Sequence, residues 1–324
     1  MSKQDIRPDS KIFVAGHRGL VGSALIRALV RRGYDNLVVR SHAELDLTLQ
    51  GSVREFFAVE RPDVVLLAAA KVGGILANNS YPAEFIRDNL EIQTNVIDQA
   101  WRHGVQHLLF LGSSCIYPKE CPQPMREENL LTGPLESTNR PYALAKISGV
   151  EMCHAYNRQY GTRFVAVMPT NLYGPNDKYD LQNSHVLPAL IRKMHEAKVR
   201  GDASVTVWGS GTPRRELLHS DDMADACLYL LEAGTARLAP LFRDDAPPLV
   251  NIGYGSDLSI AELAQLVRRI VGFEGELVFD PTKPDGTMRK LMDVSRLGAL
   301  GWDARITLED GITAVYQEFC AGQT

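Results

Sequence analysis

The chain has 324 residues, 45% of them hydrophobic and 23% charged, with a formal net charge of −4 at pH 7. That balance is that of an ordinary soluble globular protein of enzyme size, with room for a nucleotide-binding domain and a smaller partner. It argues against nucleic acid, a membrane span and a secretory leader: there is no long basic block, no apolar run near the ~20 residues of a span, and no apolar core in MSKQDIRPDSK.

The first apolar run, Lys11 to Ala15, predicts a strand, and Leu20 to about Arg32 predicts a helix. Between them lie Gly16, His17, Arg18, Gly19, Leu20, Val21 and Gly22. Glycines at this spacing allow a tight turn and let a pyrophosphate approach a helix N-terminus. Glycines also serve plain turns, but the strand–turn–helix position favours a dinucleotide. The second strand, Leu37 to Val39, runs into Arg40, Ser41 and His42, with no carboxylate until Glu44. An acid there would bond a ribose 2′-OH, whereas a cation accommodates a 2′-phosphate. Arg18 and Arg40 therefore favour NADP(H); the plain alternative is two solvated surface arginines.

Further strands are expected at Asp63 to Ala68, His107 to Leu111 and Phe164 to Met168, separated by helices near 52–60, 82–103 and 141–160. Continuous apolar strands alternating with helices predict an α/β fold, a Rossmann-type doubly wound parallel sheet. Such sheets bind ligands at the carboxyl ends of their strands.

The fourth strand ends in Leu111, Gly112, Ser113, Ser114 and Cys115. A cysteine there suits packing, metal ligation or a reactive thiol. The five cysteines, Cys115, Cys121, Cys153, Cys227 and Cys320, form no C-x-x-C pair. A disulfide scaffold and a metal site are both poorly supported, and a reducing cytoplasm fits. Tyr142 and Lys146 stand four apart on one helical face. An ammonium there is expected to lower the phenol pKa from about 10, so that the tyrosine exchanges a proton with a carbonyl oxygen. Ser113 supplies a second hydrogen bond to that oxygen.

After residue 175 the pattern is less regular. A polar then helical stretch (176–205) precedes a strand at Val205 to Trp208, and a helix is expected at Asp221 to Leu231. A strand at Pro248 to Ile252, a helix at 259–271, a strand at Glu276 to Phe279 and a helix near 308–320 follow. The expected division is 1–175 plus 218–253 for the nucleotide, and 176–217 plus 254–324 for a smaller, interleaved α/β substrate domain.

Glycine loop, serine and Tyr/Lys pair, in that order, resemble the extended short-chain dehydrogenase/reductase superfamily. Leu67 to Gly74, Gly112 to Pro118, Met168 to Pro175, Asn183 to Pro188, Val207 to Arg215 and Lys283 to Gly286 narrow this to a resemblance to the GDP-L-fucose synthase family. It runs from residue 11 past 286.

The resemblance implies inversion of a 4-keto sugar at C3 and C5, then reduction of C4 by NADPH. It implies Ser113, Tyr142 and Lys146 at the carbonyl, and Cys115 and His185 as the base and acid of epimerisation. Cofactor contacts are implied for residues 16–22, Arg40, His42, Asp46, Leu47, Leu111, Gly112, Ser113, Ser114, Tyr142, Lys146, Pro169, Thr170, Asn171, Leu172 and His185. Lys193, Trp208, Arg215 and Asp285 are implied for the GDP-sugar, and a cytoplasmic homodimer through the helices at 82–103 and 141–160. Lys193 departs from relatives with arginine there, as His42 does, which removes a bidentate fork. Against these roles stand a Cys115 that merely packs, a His185 that caps the next helix, and a Trp208 in the core. Rival readings are a related nucleotide-sugar epimerase, dehydratase or colitose-type synthase, and a non-catalytic NADP-sensing regulator. No carboxylate follows Ser113 as a dehydratase requires, and a regulator would not need Tyr142 and Lys146.

Overall fold

The computed structural model describes residues 6–180, 184–283 and 285–322. Asn183 and Pro284, each part of a motif named above, lie outside the described residues. The chain begins with β1 (Ile12–Ala15), α1 (Leu20–Arg31), β2 (Leu37–Val38), α2 (Gln50–Glu60) and β3 (Val64–Leu67). A short α3 (Ile75–Ser80), α4 (Pro82–Arg102), β4 (His107–Leu111), α5 (Arg140–Tyr160) and β5 (Arg163–Pro169) follow.

Successive strand residues face opposite sides of a sheet, and β1 divides accordingly. Ile12 and Val14 pack with α1 in one core, together with Val64, Leu66 and Leu109. Phe13 and Ala15 pack on the other face with Val65, Leu67 and Phe110, and with Val96 and Val150 from α4 and α5. Both faces are covered, which is why these strands are apolar throughout rather than alternating.

The later elements are β6 (Asn171–Tyr173), α6 (Val186–Arg200), β7 (Ser204–Trp208), β8 (Arg214–Arg215), β9 (Leu217–His219), α7 (Ser220–Glu232) and α8 (Gly234–Leu238). Then come β10 (Leu249–Ile252), β11 (Leu258–Ser259), α9 (Ile260–Val271), β12 (Glu276–Asp280), β13 (Arg289–Lys290), α10 (Ser295–Ala299) and α11 (Leu308–Ala321). The main sheet has the order β10-β5-β4-β3-β1-β2, with every pairing parallel. Its winding reverses between β1 and β3, which opens a crevice at their carboxyl ends.

Helix α7 lies against α1, tied by Arg27 to Asp221 and by Arg32 to Asp225 and Glu232. A separate core gathers Leu187, Ile191 and Met194 of α6, Val205 and Val207 of β7, Leu263 and Val267 of α9, and Ile312 and Val315 of α11. A capping box of Ser259 and Glu262 starts α9, and left-handed Gly272 ends it. The chain then returns to the sheet: Leu297, Leu300 and Trp302 pack in the α1 core. The expected division kept everything after 254 in the substrate domain; residues 295–302 depart from it because their apolar side chains fill the gap beside α7.

Candidate active site

At the crevice, Gly16 has φ +85°, and a Cβ there would lie 2.7 Å from the Ala69 nitrogen. A Cβ on Gly22 would lie 2.1 Å from the Gly16 oxygen. Only hydrogen fits at either position, so β1, the turn and α1 are drawn together. Gly19 is the N-cap of α1 and provides no side chain to bond its first-turn N–H groups. Those donors and the helix dipole suit an anion, and the cradle fits the pyrophosphate of a dinucleotide.

The two arginines expected at the 2′-phosphate differ. Arg18 is exposed. Arg40 donates to the Val39 oxygen at 2.8 Å and to Glu60 Oε1 at 2.5 Å, with its guanidinium 5.7 Å above the Phe56 ring. It is a held group, not a solvated one, and must exchange Glu60 to meet a phosphate. Glu44 is tied down by the Ser41 N–H and hydroxyl at 2.7 and 2.6 Å, bonds that hold its carboxyl below the usual range. His42 is exposed, its Nδ1 3.9 Å from Asp46 Oδ1. The Leu47 oxygen accepts from Asn95 at 2.9 Å. Beyond β5, Thr170 and Asn171 both donate to the Glu216 oxygen, at 3.3 and 3.0 Å, Pro169 pairs with Ile252, and Leu172 pairs with Leu218.

Lys146 is buried inside α5 and donates to the Leu111 oxygen at 2.8 Å. Its ammonium lies 4.8 Å from the Phe110 ring centroid and 5.9 Å from that of Tyr142. Burial pushes its pKa down to about 8, against an opposing pull from Cys115. The Tyr142 phenol is pushed well above its ordinary value by burial and by Cys115, with only a Ser113 hydrogen bond opposing. This corrects the expectation of a lowered phenol: with Nζ committed to a backbone carbonyl, desolvation dominates. Burial therefore favours the neutral phenol.

Ser113 caps a short 3₁₀ turn, Ser114–Ile116, its hydroxyl accepting from the Cys115 N–H at 3.5 Å. Ser113 also lies close enough to the Tyr142 phenol and the Cys115 thiol to favour their ionised forms. Cys115 is buried; burial raises its thiol pKa, while Ser113, Lys290 and Lys146 pull it down. Ser113, Cys115, Tyr142 and Lys146 thus form one cluster.

His185 occupies the N-cap position of α6 but makes no side-chain cap bond. It is exposed and hydrogen-bonds none of the four clustered residues. Lys193, one helical face further along, holds its ammonium 4.9 Å from the Trp208 ring centroid, and Lys283 lies 5.6 Å from the same ring. Trp208 is 57% exposed, which removes it from the core. Arg215 donates to the Arg214 oxygen, and Asp285 lies within its electrostatic reach. Asp285 itself accepts from the Ser210 N–H and hydroxyl at 2.7 and 2.8 Å.

Sequence reasoning missed Lys290. It is paired in parallel register with Arg215, so the two side chains share a face. Burial lowers its pKa, with Cys115 opposing. The motif Arg289-Lys290 carried no periodicity, and only the pairing of β13 with β8 brings it beside the thiol.

Residues 12–253 match the NAD dependent epimerase/dehydratase family. The chain is 58% identical over 307 residues to GDP-L-fucose synthase 1 of Arabidopsis thaliana, covering 95% of this chain and 92% of that one. It is 52% identical over 326 residues to GDP-L-fucose synthase of Escherichia coli (strain K12), covering 100% and 98%. The solved structure of a GDP-L-fucose synthetase from Naegleria fowleri bound to NADP superposes with a TM-score of 0.86 at 26% identity, covering 98% of this chain and 96% of that one.

Proposed function

From a chain that belongs to the NAD dependent epimerase/dehydratase family, among its GDP-L-fucose synthases, we propose how the residues divide the reaction. The enzyme converts GDP-4-keto-6-deoxy-D-mannose to GDP-L-fucose by epimerisation at C3 and C5 and NADPH-dependent reduction at C4. The observation that carries the division is the cluster at the end of β4, where Lys146 is bonded to the Leu111 oxygen with its ammonium 5.9 Å from the Tyr142 ring, and Ser113, Cys115 and Tyr142 lie within one another's electrostatic reach. One carbonyl held at that point acidifies the C–H bonds on either side of it, so a single pose serves all three steps.

Ser113 and Tyr142 hold the C4 oxygen by hydrogen bonds, which stabilise the enolate during epimerisation. Tyr142, kept protonated by burial, then delivers its proton to the alkoxide. Lys146 fixes α5 to the end of β4 and supplies positive charge beneath the phenol. Residues 16–22, with Arg18 and Arg40 toward the 2′-phosphate, would hold NADPH, which would supply the hydride that reduces C4. Cys115 and His185 exchange protons at C3 and C5, and Lys290 offsets the burial that disfavours the thiolate. Lys193, Trp208, Arg215 and Asp285 hold the GDP portion.

The nucleotide domain is 1–175 plus 218–253, and the remainder, apart from 295–302, is the substrate domain. Two copies pair through α4 and α5, where Trp101 stacks on Tyr160 at 4.0 Å and Tyr160 is 42% exposed. A reducing cytoplasm suits five free thiols.

Incubation with GDP-4-keto-6-deoxy-D-mannose and NADPH tests the reading. Loss of NADPH absorbance with GDP-L-fucose as product supports it. A product with unchanged C3 and C5 identifies a simple reductase.

A further inference from the structure

Under the Cys115 turn lies a buried polar joint that the reaction as described does not use. Tyr117, two residues after Cys115, is 3% exposed and donates its hydroxyl to Asn251 Oδ1 at 2.5 Å. Asn251, in β10, is fully buried. Its Nδ2 donates to the Met125 and Asp293 oxygens at 2.9 and 3.2 Å, and its N–H donates to Glu127 Oε1 at 2.9 Å. One residue before Asp293, the Met292 N–H donates to Glu216 Oε2 at 2.9 Å, and Glu216 Oε1 accepts from Gly255 at 2.7 Å.

These bonds connect two pieces of the site. On one side is the turn that carries Cys115. On the other is the segment 289–293, whose strand β13 pairs with β8 and carries Lys290 beside Arg215. Buried polar groups are disfavoured unless every partner is met, and a well-packed apolar joint would avoid that risk. A satisfied network instead fixes one geometry, because hydrogen bonds are directional where apolar contacts are not. Lys146 lies outside it, bonded to the Leu111 oxygen on β4.

We propose that Tyr117 and Asn251 are positioning residues for Cys115: their hydrogen bond sets the thiol's turn against the β8–β13 strands, and so serves proton exchange at C3 and C5 rather than chemistry at C4. The proposal rests on the reading of Cys115 as one partner of that exchange.

Tyr117→Phe removes the hydroxyl and keeps the ring. Two rates are measured. The first is deuterium uptake from D₂O into C3 and C5 of GDP-4-keto-6-deoxy-D-mannose on enzyme loaded with NADP⁺, where no reduction follows. The second is single-turnover oxidation of GDP-L-fucose at C4 by NADP⁺, read as NADPH absorbance. Exchange should fall about 10- to 100-fold, the scale of a small misplacement of a reacting group, while C4 oxidation stays at its native rate. Asn251→Ser should show the same split and carries the test if Tyr117→Phe does not fold. Tyr34→Phe deletes a hydroxyl that bonds Glu232 at 3.0 Å at the opposite edge of the sheet, and should leave both rates alone. Equal loss of both rates, loss of neither, or the same split in Tyr34→Phe overturns the proposal. Cys115→Ser separates the two ideas: if it abolishes exchange while Tyr117→Phe does not, the positioning role alone is wrong. Full exchange in Cys115→Ser removes the reading of Cys115, and the positioning role with it.

Discussion

The two sides of the site hold their polar groups in opposite ways. On the sheet side, Lys146 is 3% exposed and bonded to a backbone oxygen, and Cys115 is 7% exposed beneath Ser113. On the other side, Trp208 stands in solvent with Lys193 and Lys283 over its ring, and among the described residues neither lysine pairs with a carboxylate within 4 Å. Burial shifts a group's pKa toward its neutral form, and groups shifted in this way cluster where protons are moved. Cations that stand at the surface without a carboxylate partner suit recognition of a charged ligand that arrives from water. Substitutions on the sheet side should therefore be read in rates, and those on the other side in KM.

Tyr142→Phe tests the sheet side hardest. It deletes the proton donor and keeps the ring, so hydride transfer to C4 should fall by about 10²–10⁴, the range for a lost general acid. NADPH affinity, measured by fluorescence titration, should change little. A native rate of reduction in this variant would remove Tyr142 from the chemistry and dissolve the contrast.

Lys146 gives the contrast a thermodynamic form. Its folded pKa of about 8 lies below the ordinary 10.5. Between those values the unfolded chain binds more protons than the folded one, so this group's contribution to stability rises with pH across that window. The burden is fully present below pH 8 and lifts above it. Lys146→Met has no such titration. The cofactor-free native protein should gain on the order of 3 kcal/mol relative to the variant between pH 7 and pH 10.5. Groups beyond the reach of Lys146 cancel in that difference; Cys115, whose thiol it pulls down, does not. Urea midpoints at several pH values measure it, and parallel curves would show that the ammonium is better hydrated than its burial implies.

The sheet side was also the more legible side in the sequence. Runs such as His107 to Leu111 are apolar because both faces of the sheet are covered, and such a run announces itself without reference to distant residues. Strand-end position and helical spacing singled out Ser113, Tyr142 and Lys146 and left Cys115 open between packing, metal ligation and a reactive thiol; only the family resemblance gave the thiol a role. The other side was harder because its units are too short to have a period. Strands β8 and β13 have two residues each, and β6 and β9 three. Lys290 acquires its place only when β13 pairs with β8, and Asn251 only when three separate stretches, at 117, 125–127 and 293, close around it. Residues 295–302 return to the first core for the same reason: their partners on α7 lie some seventy positions back, as in the bond from Tyr229 to the Leu300 oxygen.

A smaller effect is expected where the two arginines meet the cofactor. Arg18→Ala and Arg40→Ala should each weaken NADPH more than NADH, by about 1–3 kcal/mol for a charge-assisted bond. Arg40 should fall at the lower end, because its guanidinium must leave Glu60 before it can serve a phosphate. Equal losses for the two cofactors in either variant would show that the arginine does not reach the 2′ position.

The smallest effect probes the exposed side, and its character matters more than its size. Lys193 and Lys283 approach the same Trp208 ring from two chain segments, α6 and the loop after β12. Solvent screens the exposed Lys283, so its ammonium contributes only about 0.2–1 kcal/mol to holding an anion, as exposed ion pairs do, whereas Lys193 is half-buried. Lys283→Ala should therefore raise KM for the GDP-sugar by roughly two- to fivefold and leave kcat at the native value, since a contact equal in ground and transition states changes only binding. Lys193→Ala should do more, because burial has already pushed its pKa down and an arriving phosphate relieves that strain on the charge. Raising the salt concentration should close the gap between Lys283→Ala and the native enzyme, since screening removes what the mutation removes. The proton-moving residues give the opposite pattern, a loss of rate that salt does not repair. A fall in kcat at unchanged KM for Lys283→Ala would place that lysine at the reacting end of the sugar, and the division between a buried side that reacts and an exposed side that recognises would have to be redrawn.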